Sequence, residues 1–218
     1  MRLPGSFDGV LGLFGGTFDP VHHGHLRTAY ELRQRLEIDR VLFIPAAEPP
    51  HRAQPEALVG LRLEMLEAAL LGETDCIVDR RELDREGPSY SIDTARSLQA
   101  EFPRHVLCLM LGMDAFLGLP QWHEWERLLD LVNIAVARRP GASLPHSGEL
   151  GRLLQERRVI PGETLDWAAA GQIIVQDVTQ LEISSSDLRA SIGAGLSPRY
   201  LVPEAVWDII KKSGCYAG

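Results

Sequence analysis

The sequence Val10–Leu26, VLGLFGGTFDPVHHGHL, decides the fold. It begins with a short apolar run of the kind that forms buried strands, and Gly15 and Gly16 break that run in a turn. Pro20 prevents regular structure from continuing through the loop, and apolar residues at helical spacing follow over His23–Leu36. The stretch therefore predicts a strand, a glycine loop and a helix, in that order.

This order of elements suits an anion, and phosphate most of all. Glycines let the backbone approach a ligand closely, and the N-terminus of the following helix directs N–H groups at the same point. His22 and His25 lie where the helix begins, so one helix face can present both imidazoles to the anion as donors. A zinc site that includes His23 is the alternative, but no carboxylate or cysteine stands at a matching ligand spacing.

Composition is that of a globular protein with a sizeable core. The 218 residues are 45% hydrophobic and 24% charged, which are ordinary values for one large domain. A net charge of −8 argues against a general nucleic-acid binder but permits an anionic small ligand held by a few arginines. Three widely spaced cysteines without a CxxC pair favour a reducing cytoplasm. The absence of a long apolar run predicts no export signal and no membrane span.

Strand-like and helix-like segments alternate along most of the chain. This alternation predicts a doubly wound, Rossmann-like α/β fold with a parallel sheet and helices on both faces. We expect a single domain over residues 10–218, of which about 180–218 form a small helical C-terminal part, after a loose leader at residues 1–9. Ligands bind beyond the carboxyl ends of such strands, so loops at those ends should meet at one cleft. These are the glycine loop, the loop after Pro45, Gly112–Asp114 and the loop at Arg138.

Two motifs at opposite ends of the chain resemble the signatures of one superfamily. GGTFDPVHHGH is similar to the first signature of the nucleotidyltransferases that carry the HxGH motif. Ile183–Arg189, ISSSDLR, resembles the second signature, which is usually written ISSTxxR. No GxxxxGK[ST] occurs and no GxGxxG follows a strand, so neither a P-loop NTPase nor a hydride-transferring Rossmann enzyme is supported.

The resemblance implies transfer of a nucleoside monophosphate from a triphosphate to an acceptor phosphate, with release of pyrophosphate. Such chemistry needs positioning and charge neutralisation more than a protein nucleophile. Mg²⁺ is expected to arrive with ATP. The catalytic residues so implied are His22, His25 and Arg189. The implied ATP-binding residues are Gly15, Gly16, Thr17, Phe18, Gly112, Asp114, Arg138, Ser185 and Ser186.

Motifs in the middle of the chain narrow the resemblance to bacterial nicotinate mononucleotide adenylyltransferases, which form deamido-NAD in NAD biosynthesis. They are PPHR at 49–52, PSYSIDT at 88–94, GMD at 112–114, WHEW at 122–125 and RRPG at 138–141. The resemblance implies that Trp122 stacks on the pyridine ring, and that Ser91 and the main-chain N–H of His123 receive the nicotinate carboxylate. Asp114 would bind a ribose hydroxyl and the loop at Arg138 would border adenine. His51 and Arg52 would complete the substrate site as phosphate-binding side chains.

Plainer interpretations exist for several of these residues. Trp122 could be a packing residue, as we expect Trp125 and Trp207 to be, and Ser91 could simply cap a helix. The chain also departs from the commonest family pattern, because Arg52 replaces a frequent Lys, and Ser91 and Ser186 replace frequent Thr. These substitutions keep the charge or the hydroxyl group, so they weaken the assignment of the acceptor slightly and the assignment of the reaction class hardly at all.

Other functions remain open at this point. One is an adenylyltransferase that acts on nicotinamide mononucleotide or pantetheine phosphate, and another is a nucleotide sensor without turnover. A third is a structural α/β domain with an incidental histidine cluster. We expect ATP and nicotinate mononucleotide as partners, with no nucleic acid and no membrane. The sequence leaves the oligomeric state open, with a homodimer as one option.

Overall fold

The computed structural model describes residues 8–48, 54–160, 165–179 and 181–217. In these residues six parallel strands alternate with helices. The strands are β1 (Gly9–Gly16), β2 (Arg40–Pro45), β3 (Cys76–Val78), β4 (His105–Gly112), β5 (Val132–Arg138) and β6 (Ile173–Asp177). The helices are α1 (His23–Arg35), α2 (Val59–Ala69), α3 (Ser91–Glu101), α4 (Met113–Leu117), α5 (Trp125–Leu128), α6 (Gly148–Arg157), α7 (Ser185–Gly193) and α8 (Glu204–Ser213).

The strands form one sheet in the order β3-β2-β1-β4-β5-β6, and each neighbouring pair is parallel. The chain builds one half of the sheet outward from β1 and then returns to build the other half outward from β4. After β1 the chain passes to one face of the sheet, and after β4 it passes to the other. A crevice therefore opens beyond the carboxyl ends of β1 and β4, where ligands bind in folds of this type. The predicted doubly wound fold is confirmed.

Each face of the sheet buries its own hydrophobic core, because successive side chains of a strand point to opposite faces. On one face Val10 and Phe14 of β1 pack with residues of α1, α2, α7 and α8. On the other face Leu11 and Leu13 pack with residues of α3 to α6. Burying one such leucine stabilises the fold by ~1.5–3 kcal/mol. The two cores hold the carboxyl end of β1 rigidly between them, and that end carries the glycine loop.

The C-terminal helices share the core on the first face. Leu188 of α7 and Val206 and Ile210 of α8 belong to the same buried cluster as β1, and α8 packs against α2. That residues 180–218 form a separate small unit stays a prediction. Of the expected leader, residues 1–7 lie outside the described residues, and Gly9 already begins β1. No helix in the described part of the chain is long and apolar enough to cross a membrane.

Candidate active site

A cleft of about 640 Å³ opens beyond the carboxyl ends of β1 and β4. Its walls come from the glycine loop, the start of α1, the chain after β4 and the start of α7. The cleft thus joins the two sequence motifs, which lie far apart along the chain. The predicted residues that line it are Gly15, Gly16, Thr17, Phe18, His22, His25, Gly112, Asp114, Ser185, Ser186 and Arg189.

His22 and His25 bond to each other's backbone across the first turn of α1. The His25 N–H donates to Nδ1 of His22 at 3.3 Å, and the His22 N–H donates to Nδ1 of His25 at 3.4 Å. Histidine thus fills both positions of a capping box, in which two otherwise unpaired N–H groups are satisfied reciprocally. Because each Nδ1 accepts a hydrogen bond, a neutral ring must carry its proton on Nε2.

Gly24 is required by the packing of this pair. A Cβ atom at Gly24 would lie 3.0 Å from both Cε1 and Nδ1 of His22 and 3.5 Å from the carbonyl oxygen of Leu181. A side chain there would force the His22 ring to shift by a few tenths of an ångström. The glycine in the HxGH motif is therefore explained by the space that the first histidine needs.

His22 is held in its neutral form. The side chain is 4% exposed, and burial, together with the neighbouring His23, lowers the pKa of His22 from 6.5 to about 4. At neutral pH the ring therefore offers an Nε2–H donor without a formal charge. It can stabilise a phosphate oxygen by a hydrogen bond, whereas a positive charge must come from elsewhere in the cleft.

The glycine loop is fixed by a buried arginine that the sequence interpretation missed. Arg62 of α2 is 1% exposed, and its Nη1 donates to the carbonyl oxygens of Thr17 at 2.7 Å and Ala46 at 2.9 Å. It therefore ties the loop after β1 to the loop after β2. Burial lowers the pKa of Arg62, and the charge of Asp19 opposes that shift. The sequence did contain a signal for Arg62, namely a charged residue within the apolar face of a predicted helix.

Among the described residues that line the cleft, Arg189 is the arginine. Its Nη1 donates to the carbonyl oxygen of Asp19 at 2.9 Å, and its Nε donates to Oε1 of Glu56 at 2.7 Å. Ser185 begins α7 beside it and donates from Oγ to the carbonyl oxygen of Pro20 at 3.0 Å. The second motif is therefore anchored to the first through backbone oxygens of the glycine loop.

A second cleft of about 320 Å³ adjoins the first. The predicted acceptor residues Ser91, Trp122 and His123 line it, and the Tyr90 and His123 rings lie 4.4 Å apart. Both clefts are bordered by Gly15, Gly16, Thr17 and Asp114, so a ligand in one would meet a ligand in the other across the glycine loop.

The structure bears on two plainer interpretations, helix capping by Ser91 and core packing by the tryptophans. Tyr90, not Ser91, is the N-cap of α3, and it makes no side-chain capping bond, so capping by Ser91 is wrong. Trp125 and Trp207 pack against the two cores, as expected for packing residues. Trp122 also touches the core, but it lines the second cleft as well.

Glu82 was not singled out from the sequence, yet it lines the second cleft. Its carboxylate is buried and accepts a hydrogen bond from Thr94 Oγ1 at 2.6 Å. Burial raises the pKa of Glu82, which favours the protonated carboxyl group.

Of the predicted residues that the structure describes, Arg138 is not brought into these clefts. Its Nε pairs instead with Oδ1 of Asp177 at 2.7 Å. His51 and Arg52 lie outside the described residues. The loop after β2 reaches the second cleft through Ala46.

Comparison with known proteins agrees with this geometry. The family model described as cytidylyltransferase-like matches residues 13–191. Proteins from Methylococcus capsulatus and Pseudomonas aeruginosa, both named probable nicotinate-nucleotide adenylyltransferase, are each 44% identical to the chain. These alignments cover 95% and 94% of this chain and 100% and 96% of those proteins.

Solved structures support the same fold. The Plasmodium falciparum nicotinic acid mononucleotide adenylyltransferase complexed with NaAD matches with a TM-score of 0.73 at 15% identity. The match covers 95% of this chain and 97% of that chain. The resemblance inferred from the motifs is thus confirmed, and the chain belongs to the nicotinate-nucleotide adenylyltransferase family of cytidylyltransferase-like nucleotidyltransferases.

Proposed function

We propose that the protein transfers AMP from ATP to nicotinate mononucleotide, forming deamido-NAD and pyrophosphate. The observation that carries this proposal is the junction of two clefts across one glycine loop. One cleft contains His22, His25 and Arg189, which suit a polyphosphate, and the other contains a flat aromatic wall at Trp122. A dinucleotide product would span both clefts, with its phosphates beside the glycines.

The first cleft would bind ATP. N–H groups of the glycine loop and the N-terminus of α7 suit phosphate oxygens, and Arg189 would neutralise the charge of the outer phosphates. His22 and His25 would donate from Nε2 to the oxygens of the transferring phosphate. Asp114 would hold a ribose hydroxyl. Arg138 keeps its proposed place beside adenine only if its ion pair with Asp177 rearranges.

The second cleft would bind the acceptor. The indole of Trp122 offers a flat apolar surface for the pyridine ring, and Ser91 offers a hydroxyl group to the nicotinate carboxylate. The main-chain N–H of His123 would be a second donor to that carboxylate. His51 and Arg52 are proposed to bind the acceptor's phosphate.

The reaction would be a direct displacement. An oxygen of the acceptor phosphate attacks the α-phosphorus of ATP, and the bond from that phosphorus to the bridging oxygen breaks as pyrophosphate leaves. Holding both reactants in line can lower the barrier by ~7–11 kcal/mol, so no protein nucleophile is required. His22, His25 and Arg189 would act by stabilising the charge that moves toward the pyrophosphate.

Mg²⁺ is proposed to enter with ATP and to neutralise phosphate charge. Within the described residues, no group of three or more His, Cys, Asp or Glu side chains could hold a metal ion. The carboxylate of Asp19 in the cleft already accepts three hydrogen bonds. This set of side chains fits an ion carried by phosphates and water rather than by a protein cage.

The test is pyrophosphate release with MgATP and one acceptor at a time. We expect turnover with nicotinate mononucleotide and much slower turnover with nicotinamide mononucleotide, because a site built for a carboxylate leaves donors unpaired with the amide. Preference for the amide would contradict the proposed acceptor but not the chemistry. ATP binding without release of pyrophosphate in the presence of any acceptor would favour a sensor instead.

A further inference from the structure

The carboxylate of Asp19 is a buried junction behind the nucleotide cleft. Asp19 is 3% exposed, and its two oxygens accept hydrogen bonds from the N–H groups of Glu56 and Ala57 at 2.9 and 3.1 Å. A third donor is the phenol of Tyr216, whose oxygen lies 2.6 Å from Oδ1 of Asp19. Two segments that are distant in sequence, residues 56–57 and the C-terminal tail, therefore donate to one side chain.

The same residue positions Arg189. The Arg189 Nη1 donates to the Asp19 carbonyl oxygen at 2.9 Å and lies 3.7 Å from Oδ2 of the carboxylate. The orientation of Asp19 therefore helps to set where the guanidinium points. Arg189 has a competing partner in Glu56, which accepts from its Nε at 2.7 Å.

We propose that Tyr216, in the C-terminal tail, is a positioning residue for the nucleotide site. Its hydroxyl group holds the Asp19 carboxylate in the orientation that keeps Arg189 directed at the outer phosphates of ATP. This inference rests on the proposed function, because it takes ATP as the ligand of the first cleft. It assigns a role in the reaction to a residue that touches neither substrate.

The physical basis is the number of donors on Oδ1 of Asp19. Without the phenol, Oδ1 keeps only the N–H of Ala57 as its donor. Because a buried carboxylate that loses a hydrogen-bond donor is destabilised, the side chain is expected to reorient. The side chain would then turn toward the remaining positive groups, Arg189 and Arg62. Arg189 would bind Asp19 and Glu56 more closely, and its availability to a phosphate would fall.

The experiment is Tyr216→Phe, which removes the hydroxyl group and keeps the ring. The readouts are calorimetric binding of a non-hydrolysable ATP analogue with Mg²⁺, and the KM values for ATP and for nicotinate mononucleotide. We expect analogue binding about five- to twentyfold weaker and a matching rise in the KM for ATP, with the acceptor KM unchanged. Tyr200→Phe is the matched control, since Tyr200 is 83% exposed, and it should change none of these values.

Two further variants separate positioning from stability. In an Arg189→Lys background, Tyr216→Phe should change analogue binding by less than about twofold, because its effect passes through Arg189. In an Asp19→Asn background, which lacks the negative charge that would draw Arg189 away, Tyr216→Phe should likewise change analogue binding by less than about twofold.

An equal rise in both KM values together with a fall in kcat, accompanied by partial unfolding, would show a structural role and overturn the inference. Unchanged analogue binding in Tyr216→Phe would overturn it as well, with the proposed function intact. Failure of the wild-type protein to bind the analogue would instead contradict the proposed function.

Discussion

The imidazole rings of His22 and His25 stack with their centroids 3.7 Å apart, while each Nδ1 accepts the other residue's backbone N–H. This arrangement fixes the tautomer that each ring adopts when it is neutral, and it orients both rings before a ligand enters. It also makes the start of α1 depend on the residues that the proposed chemistry needs. Stability and function should therefore be separable only by substitutions that preserve the capping acceptor.

Replacing His25 with Asn tests the catalytic half of this pair. The Asn side chain can still accept the backbone N–H, but it cannot place a donor where Nε2 lies. We expect kcat to fall about 10²–10³-fold, the usual effect of removing one donor to a transition-state oxygen. The measurement is steady-state pyrophosphate release. His23→Asn is the control and should stay near the wild-type rate, whereas equal effects of both changes would contradict the assignment.

The lowered pKa of His22 predicts a pH dependence of stability. The unfolded chain binds a proton at this histidine with a pKa near 6.5, and the folded protein binds it only near pH 4. Between these values the unfolded state holds more protons, so stability rises with pH and is fully present above 6.5. The expected gain is about 3 kcal/mol from this group.

Urea denaturation of the wild type and of His22→Asn across pH 4 to 7 measures this gain. The Asn variant keeps a good N-cap acceptor but does not titrate. The difference in unfolding free energy between the two proteins should grow as pH rises toward 6.5. Parallel profiles would show that His22 has an ordinary pKa.

Glu56 should compete with ATP for Arg189. Its carboxylate accepts from the Arg189 Nε at 2.7 Å, where a phosphate oxygen of ATP is proposed to bind. The pair is partly exposed and so is worth ~0–1 kcal/mol, which limits the effect of breaking it. Glu56→Gln should therefore lower the KM for ATP about two- to fivefold. Glu67→Gln, an exposed carboxylate of α2, is the charge-matched control, and a raised KM in Glu56→Gln would refute competition.

Gly24 and Gly60 allow a paired test of local space. A Cβ at Gly24 would meet the His22 ring at 3.0 Å, whereas a Cβ at Gly60 would meet nothing within 4 Å. Gly24→Ala should displace His22 and lower kcat about 10- to 100-fold, as small misplacements of catalytic groups do. Gly60→Ala should leave kcat unchanged and stabilise α2 by about 0.5–1 kcal/mol. The kcat of each variant is measured by steady-state kinetics and its stability by thermal unfolding. Full activity in Gly24→Ala would contradict the expected contact with the His22 ring.

Trp122 should affect the acceptor alone. Trp122→Leu keeps apolar volume but loses the flat ring, so the KM for nicotinate mononucleotide should rise about tenfold, consistent with ~1–1.5 kcal/mol for an aromatic pair. Trp122→Phe should recover part of that loss, and the KM for ATP should not change in either variant. A rise in the KM for ATP of the same size would show that Trp122 supports the fold rather than the acceptor.

The sequence predicted those features that depend on local pattern. The apolar run of β4 and the strand–glycine loop–helix order identified the sheet and its ligand-binding edge, because period and glycine placement are local properties. The HxGH and ISSSDLR motifs identified the two ends of one cleft. Only the resemblance predicted that these two motifs lie close together, because nothing local in the sequence joins Arg189 to Asp19.

Residues that act through distant partners were missed. Tyr216 reaches Asp19 from the other end of the chain, and Arg62 bridges two loops from a helix face that otherwise looks like ordinary core. Arg138 was assigned to the cleft from its position at the end of β5, but Asp177 on the neighbouring strand pairs with it. Side-chain partners between strands are set by tertiary register, which sequence periodicity does not specify.

The transfer of AMP to nicotinate mononucleotide is tested most directly by following the α-phosphate of ATP. ATP labelled at that phosphate is incubated with Mg²⁺ and nicotinate mononucleotide, and both small-molecule products and protein are analysed. We expect label in a dinucleotide, unlabelled pyrophosphate in equal amount, and no label bound to protein. Label on the protein would contradict direct displacement, and labelled AMP without a dinucleotide would contradict transfer to the nicotinate acceptor.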